Sequence, residues 1–197
     1  MKRYILAVTG ASGMPYALTL LEALNRNGEA KTHVIVSEAA QKVLELECEA
    51  GLDLLHRHAH AVYSEKDIGS PPASGSWLHG GMVVCPCSMA SVAAIGRGLA
   101  TNLIHRAADV CLKEKRTLIL VPRETPLSVV HLENLLAAAK AGATILPACP
   151  GFYHRPQNID DLTKHVAGRI LDHLGLEHGL SPRWGELELP PHAASPP

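Results

Sequence analysis

Residues 4–13 read YILAVTGASG, an apolar run that passes directly into a turn with two glycines. The five residues of the run fit a buried β-strand, and the residues after the turn repeat with the spacing of an amphipathic helix that ends near Gly28. The residues with that spacing are Ala17, Leu20, Leu21 and Leu24. A strand, a glycine turn and a helix in this order are typical of parallel sheets whose strands are joined by helices.

The same alternation continues along most of the chain. It predicts five main strands, at residues 4–8, 32–36, 82–85, 117–121 and 143–146. Helices are predicted from about Glu38 to Glu49, in segments after Ser88 up to about Lys115, after a capping Ser128, and after a capping Asn158. For the helix after Ser128, the predicted core face is Leu132, Leu135, Leu136 and Ala139.

Residues 51–76 show no clear period, so they are predicted to be irregular. The last eight residues hold four prolines, which predicts an extended and flexible tail at residues 190–197. We therefore expect a single α/β domain over residues 1–189, with an open parallel sheet and helices on both faces.

The composition excludes several classes of protein. The chain has 197 residues and a formal net charge of -1, so it offers no basic field for nucleic acid or anionic lipid. Its longest apolar runs fall far short of the ~20 residues that span a bilayer. The first residues lack the apolar core and cleavage site of a secretory signal. We expect a cytoplasmic protein without a membrane span.

Cysteines and histidines give little sign of a metal site. The five cysteines are odd in number, and Cys85-Pro86-Cys87 lacks the spacing of zinc-binding or redox pairs, so a structural role is favoured over a redox or metal role. His56, His58 and His60 alternate and would share one face of a strand, but no cysteine or carboxylate partner is evident. We expect no metal.

Polar residues follow several predicted strands, at the carboxyl edge where open parallel sheets bind ligands. The turn at residues 9–13 either grips a phosphate through backbone amides and the Ser12 hydroxyl or is merely a tight turn. Ser37 follows the second strand and either reaches the same ligand or caps the next helix. Arg123 and Glu124 follow the fourth strand, which places an anion binder beside a candidate general acid or base.

Charged residues also interrupt apolar helix faces. Glu47 continues an apolar stripe, which predicts an inward-facing carboxylate that is either a structural acid paired with a cation or a proton-transfer group. Arg106 and Lys113 share one helical stripe and suit a phosphate, the alternative being a surface pair between Asp109 and Lys113. Arg169 projects from an otherwise apolar face of the last helix. A guanidinium in such a place usually meets a carboxylate or a phosphate.

The loop at residues 147–156 follows the fifth strand, and its prolines stiffen a segment that presents Tyr153 and His154. A tyrosine hydroxyl in such a loop can donate a hydrogen bond to a phosphate. The loop thus adds another candidate anion contact at the same edge of the sheet.

Taken in this order, these motifs resemble the flavin prenyltransferases of the UbiX family, from about Lys2 to Trp184. The most specific segments are residues 9–13, 71–76, 85–88, 102–115, 121–126 and 150–157. The resemblance implies a Rossmann-like FMN-binding subunit that assembles as a homododecamer with sites at subunit junctions. It also implies metal-independent transfer of a dimethylallyl group from dimethylallyl monophosphate to N5 and C6 of reduced FMN. The prenylated FMN would serve a UbiD-type decarboxylase.

The resemblance also implies roles for individual residues. Contacts to FMN fall on the glycine turn and on residues that follow strands: Gly10, Ala11, Ser12, Gly13, Ser37, Ser88, Met89, Ala90, Ser91 and Arg123. The prenyl phosphate would be bound by Lys113, Tyr153 and Arg169 together with Arg106. Glu47 and Glu124 would be the acid-base carboxylates, with Ser12 and Lys113 completing the catalytic set.

The chain departs from the family pattern in two places. Ala90 and Ser91 stand where many members carry Lys and Thr, and an alanine side chain cannot donate a hydrogen bond to flavin. Trp77 and His79 follow the loop at residues 71–76, where they are expected to alter substrate access. The alternatives are an enzyme like the flavin-dependent cysteine decarboxylases, which share the broad fold, and a non-catalytic FMN carrier, which would not need the phosphate-binding set.

Overall fold

The structure is a computed structural model, and it describes residues 1–28, 30–49 and 51–185. In this part of the chain the strands are β1 (Lys2–Val8), β2 (Ala30–Val36), β3 (Ala61–Ser64), β4 (Met82–Cys87), β5 (Leu118–Pro122) and β6 (Thr144–Ile145). The helices are α1 (Met14–Arg26), α2 (Glu38–Glu47), α3 (Gly51–His58), α4 (Met89–Gly96), α5 (Leu103–Lys113), α6 (Val129–Ala141) and α7 (Ile159–Leu174). The predicted tail at residues 190–197 lies outside the described residues.

The strands form one parallel sheet in the order β3-β2-β1-β4-β5-β6. The chain builds outward from β1 to β3 and then returns to the other side of β1, so the strand order reverses between β1 and β4. Ligands of such sheets bind in the crevice beyond the carboxyl ends of the two strands at the reversal. The prediction of an α/β fold with an open parallel sheet is confirmed.

Alternate residues of each strand face opposite layers of helices, as the two-residue period of a strand requires. On one face, Leu6 and Val8 of β1 pack with α1, α3 and α7. On the other face, Ile5 and Ala7 pack with α4 and α5. The helix predicted after the glycine turn is confirmed, because the four residues of its apolar stripe are at most 1% exposed. Helices α5 and α7 therefore lie on opposite sides of the sheet.

The prediction of an irregular segment at residues 51–76 is wrong. The segment contains α3, β3, which extends the sheet beside β2, and a 3₁₀ turn at Pro71–Ala73. These elements span only eight, four and three residues, too few to show a clear period in the sequence. His56 and His58 belong to α3 and not to a strand, and no group of side chains suited to a metal occurs among the described residues.

The predicted core face of α6 is also wrong. Leu132 and Leu136 are 52% and 55% exposed, whereas Asn134 and Ala138 face the protein. The reason lies in α4, where a Cβ at Gly96 would come within 3.0 Å of the Ala138 amide nitrogen. Because α6 approaches α4 this closely, its small side chains pack inward, Leu135 is only partly buried, and Leu132 and Leu136 are left on the outside.

The two predicted helix caps are present in the structure. Ser128 caps α6 by accepting a hydrogen bond from the His131 amide, and Asn158 caps α7 by accepting one from Asp161. Cys85 lies buried in β4 and is not disulfide-bonded, and burial raises the pKa of its thiol to about 12. None of the helices in the described ranges is both long and apolar enough to cross a bilayer.

Candidate functional site

Thr9 ties together the ends of β1 and β4, the two strands at the reversal of strand order. Its hydroxyl donates a hydrogen bond to the Pro86 carbonyl at 2.8 Å and accepts one from the Ser88 amide at 2.8 Å. The Thr9 amide also donates to the Pro86 carbonyl, at 3.3 Å. These bonds fix the glycine turn against the start of α4, so the crevice predicted by the strand order has rigid walls.

Gly10 lets the turn pass directly over the beginning of α2. A Cβ at this position would overlap the Cβ of Ala39, so a larger residue would push the turn and α2 apart. Gly13, with φ of 119°, then adopts a left-handed conformation that directs the chain into α1. The two glycines of this turn are thus required for different steric reasons, Gly10 by its close approach to α2 and Gly13 by its left-handed backbone conformation.

A cleft of about 370 Å³ opens at this edge of the sheet, between the starts of α2, α4 and α5. Five of the predicted FMN contacts line it: Gly10, Ser37, Ser88, Ala90 and Ser91. The hydroxyl oxygens of Ser37 and Ser88 cap α2 and α4 by accepting bonds from Ala40 and Ser91. The cap predicted for Ser37 is therefore present, and its hydroxyl proton is still available to a ligand. The side chains of Ala11 and Met89 are buried, at 6% and 7% exposure.

Glu65, Asn102 and His105 also line this cleft, and no role was predicted for any of them from the sequence. The Glu65 carboxylate accepts hydrogen bonds from the Asn102 side chain at 2.7 Å and the Glu38 amide at 2.8 Å. Asn102 in turn caps α5. Glu65 was missed because it lies in the segment taken as irregular, whereas an asparagine before an amphipathic helix was a usable capping signal for Asn102.

Ser12, Glu47 and Arg123 meet beside the cleft. Arg123 donates from Nε to the Ser12 carbonyl at 3.0 Å. One oxygen of the Glu47 carboxylate accepts hydrogen bonds from the backbone amides of Gly13 and Met14, both at 2.8 Å. The first amides of α1 are therefore already occupied by a carboxylate, which makes the turn itself a poor phosphate grip.

The expectation of an inward-facing Glu47 is wrong, because Glu47 is the last residue of α2 and is exposed. Partial burial acts to raise its pKa, but hydrogen bonds from Ser12, Gly13 and Met14 and the charge of Arg123 outweigh that effect and lower the pKa. Glu47 is thus an ionised carboxylate that holds the start of α1.

The lowered pKa of Glu47 makes a testable contribution to stability. A carboxyl whose pKa is lower in the folded state stabilises the fold above its ordinary pKa of 4.5, and this contribution is lost as the pH falls through the lowered value. Glu47→Gln should therefore lower Tm at pH 7, and the difference from the parent should shrink in increasingly acidic buffer. Thermal unfolding across pH measures this, with Glu45→Gln, an exposed neighbour on α2, as control. A difference that does not change with pH would contradict the ionic role.

Glu124 follows Arg123 directly at the end of β5 and is exposed. Its carboxylate accepts a hydrogen bond from the Thr125 amide at 3.0 Å. The position matches the expectation of a carboxylate beside the anion-binding Arg123 at the carboxyl edge. Within one chain the carboxylate is accessible to a ligand bound at that edge.

Tyr153 and Arg169 line a second cleft, of about 300 Å³, between the loop after β6, helix α7 and residues 178–184 that follow α7. Arg169 is exposed and donates to Asp172 at 2.8 Å, so it meets a carboxylate as expected for a guanidinium on this face. The Tyr153 ring packs edge-on against Trp184. The structure therefore brings together two of the four residues predicted to bind the prenyl phosphate.

Arg106 and Lys113 are on α5, beside the loop at residues 71–76. Arg106 donates to the Ala73 carbonyl at 3.2 Å and pairs with Asp109 at 3.0 Å. Lys113 pairs with Glu114 at 2.5 Å, so the alternative of an Asp109–Lys113 pair is wrong.

The two cationic groups cannot meet within one chain. Helix α5 packs on one face of the sheet and α7 on the opposite face, and each cation lies on the outer side of its helix. A four-residue clamp formed by Lys113, Arg106, Tyr153 and Arg169 therefore requires a second copy of the chain.

Trp77 and His79 do not line the cleft at the carboxyl edge. The Trp77 ring packs edge-on against His33 at 4.7 Å between ring centroids, and Arg3 lies over it at 5.3 Å. Since Arg3 is at the start of β1, this cluster is at the amino edge of the sheet. Any effect of these residues on access would have to act from another copy.

Comparison with known proteins is consistent with this geometry. A family model described as Flavoprotein matches residues 1–171. The flavin prenyltransferase LpdB of Lactiplantibacillus plantarum is 49% identical over 184 residues, which cover 93% of this chain and 98% of that protein.

Two solved structures have the same fold. AnUbiX (PadA1) in complex with FMN and dimethylallyl pyrophosphate is 41% identical with a TM-score of 0.91, covering 95% of this chain and 99% of its own. A dodecameric FMN-dependent UbiX-like decarboxylase from Escherichia coli O157:H7 is 42% identical with a TM-score of 0.90, covering 92% and 98%.

Proposed function

This chain belongs to the UbiX family of flavin prenyltransferases, within the wider flavoprotein family, and on that basis we propose the reaction that it catalyses. It joins a dimethylallyl group from dimethylallyl monophosphate to N5 and C6 of reduced FMN, and the prenylated FMN serves a UbiD-type decarboxylase. The protein is a transferase, and membership of this family decides against both a cysteine decarboxylase-like enzyme and a non-catalytic FMN carrier.

The cleft at the reversal of strand order fits FMN. Gly10 lets the turn approach the start of α2 closely, and the capping hydroxyls of Ser37 and Ser88 stand at the positive ends of α2 and α4. Because Glu47 occupies the first amides of α1, the FMN phosphate would be held by Ser37, Ser88 and Ser91. Ala90 presents only its backbone there. Ser12 and Arg123 border the same edge and complete the set of FMN contacts.

Four residues would bind the prenyl phosphate: Arg106, Lys113, Tyr153 and Arg169. When its phosphate departs from the allylic carbon, negative charge grows on the phosphate oxygens, and fixed cationic and hydroxyl donors stabilise that charge most strongly in the transition state. Lys113 and Arg106 would come from one copy and Tyr153 and Arg169 from another, which the positions of α5 and α7 on opposite faces of the sheet support. None of these groups needs a metal ion to act.

Reduced FMN supplies the nucleophilic N5 and C6 atoms when bound. Bond formation at C6 leaves a proton to be removed, which requires an ionised carboxylate within reach. Glu124 is exposed after β5, at the carboxyl edge of the sheet, while Glu47 is committed to the α1 amides. We therefore assign proton removal to Glu124 and give Glu47 a supporting role through the Ser12 turn.

The single observation that carries the proposal is the cleft of about 370 Å³ that Thr9 and Gly10 of the glycine turn line together with Ser37 and Ser88. Anaerobic incubation with reduced FMN and dimethylallyl monophosphate, followed by mass spectrometry, should yield a flavin heavier by one C5H8 unit. A parallel reaction with the diphosphate identifies the preferred donor, and a chelator should leave the yield unchanged. Bound FMN that stays unmodified with either donor would overturn the proposal.

The exposed side of α6 suggests how copies assemble. Val129, Val130, Leu132 and Leu136 are 71%, 61%, 52% and 55% exposed, an apolar surface on a helix whose inner face is already packed. We propose that another copy covers it and that the assembly is a homododecamer.

Light scattering should therefore give a mass far above 21.0 kDa at assay concentration. Leu132→Glu, which changes an exposed side chain, should shift the protein toward smaller species without unfolding it, because the charge would be buried in the contact. Lys140→Gln, on the same helix, is the control. A parent protein that is monomeric would contradict the proposed assembly.

A further inference from the structure

His165 lies against Tyr153, and no role was predicted for it from the sequence. It is on α7, one turn before Arg169, and is only 7% exposed. Its Nε2 is 3.3 Å from the Tyr153 hydroxyl oxygen, and its Nδ1 is 3.2 Å from the Gly151 amide nitrogen. Both ring nitrogens are therefore engaged by the loop that carries Tyr153.

These two contacts determine where the imidazole proton sits. A backbone amide can only donate, so Nδ1 must accept the Gly151 proton and be unprotonated. The proton of the neutral ring is then on Nε2, and it points at the Tyr153 oxygen. Since the tyrosine oxygen accepts this bond, its own proton is free to turn toward another acceptor in the cleft.

The surroundings keep the ring neutral and in place. Burial lowers the pKa of His165, and the charges of His154 and Arg169 lower it further. The His154 ring stacks flat on His165, with centroids 5.0 Å apart and planes 2° from parallel. A Cβ at Gly151 would lie 3.1 Å from the Tyr153 ring and 3.2 Å from His165 Nε2, so the glycine allows this close packing.

We propose that His165 is a positioning residue that turns the Tyr153 hydroxyl proton toward the phosphate oxygen of the prenyl donor. The inference rests on the proposed function, because it takes the second cleft as the site of that phosphate. Tyr153 and Arg169 line this cleft together, so a hydroxyl proton directed into it meets the same anion as the guanidinium. His165 forms no bond with the substrate and transfers no proton.

Steady-state kinetics of two variants separates positioning from packing. His165→Phe fills the space but donates no hydrogen bond, and it should lower kcat about tenfold, with KM for dimethylallyl monophosphate changed less than about threefold. His165→Gln can accept from Gly151 and donate to Tyr153, and should stay within about threefold of the parent. His173→Gln, an exposed histidine on the same helix, is the control. If His165→Phe and His165→Gln lost the same fraction of kcat while both kept the parent Tm, the proposal would be overturned.

A double-mutant cycle tests whether His165 acts through the hydroxyl. In a Tyr153→Phe background the His165→Phe change should cost less than about twofold further, because the group it orients is gone. Losses that multiply would show that His165 acts independently of the hydroxyl and would overturn the proposal.

Magic-angle-spinning NMR of protein labelled with ¹⁵N-histidine provides a readout that does not depend on activity. It should show His165 as the Nε2–H tautomer, with a shifted Nε2 signal in Tyr153→Phe. A protonated Nδ1 would refute the positioning of the hydroxyl even if prenylated FMN forms. The expected tautomer in a protein that makes no prenylated FMN would refute the proposed function while retaining the hydrogen bond.

Discussion

Glu124→Gln should lower the rate of flavin prenylation by about 10²-fold or more while FMN and the prenyl phosphate still bind. The reason is positional, since Glu124 follows Arg123 at the end of β5, and Arg123 contacts the Ser12 turn. The amide keeps the shape of the side chain and can still accept from Thr125, but it cannot take up a proton. Single-turnover assays under anaerobic conditions, with each ligand affinity measured separately, give the result.

Glu45→Gln, an exposed residue of α2, is the matched control and should keep the parent rate. If Glu124→Gln prenylated FMN at the parent rate, its acid-base role would be wrong. Glu47 would then become the leading candidate, and its bonds to Gly13 and Met14 would have to rearrange during the reaction.

Lys113→Ala and Arg169→Ala should each reduce prenylation by about 10²-fold and weaken binding of the prenyl phosphate, with FMN affinity kept. Each removes a cation proposed to stabilise the departing phosphate, and neither residue lines the cleft proposed for FMN. Both side chains are exposed, so the loss should not come from unfolding. Isothermal titration of each ligand together with single-turnover rates measures the two effects.

Lys42→Ala, which removes an exposed cation of α2, is the control for charge alone. An unchanged prenylation rate in Lys113→Ala would remove α5 from the phosphate site. Equal weakening of FMN and prenyl phosphate would instead indicate a general distortion.

The sequence predicted those parts of the fold in which side-chain spacing and burial agree over many residues. Helix α1 has four stripe residues and two flanking glycines, and its position was correct. The prediction of an irregular segment at residues 51–76 was wrong because the helix and the strand there are too short to display a period. The predicted core face of α6 was wrong for another reason. The close approach of α6 to Gly96 of α4 decides which side of α6 packs inward, and Gly96 is distant from α6 in sequence.

The candidate site shows the same division. Residues directly after strands, such as Ser37, Ser88 and Arg123, could be placed at the carboxyl edge from the parallel order alone. Glu47 could not, because its orientation depends on the α1 amides and not on the stripe to which it belongs. The relation of His165 to Tyr153 depends on how the loop folds back on α7, and local sequence contains no sign of it.

Lys113 and Arg169, the cations proposed to bind the prenyl phosphate, lie on helices at opposite faces of the sheet, so we expect two copies of the chain to complete each site. Co-expression of Lys113→Ala and Arg169→Ala chains, purified as mixed assemblies, tests it most directly by their rate of anaerobic flavin prenylation. Each variant alone is nearly inactive, but random mixing places an intact Lys113 and an intact Arg169 from different chains at about a quarter of the sites. We therefore predict recovery of about a quarter of the parent rate. Mixed assemblies no more active than either variant alone would contradict a site shared between copies.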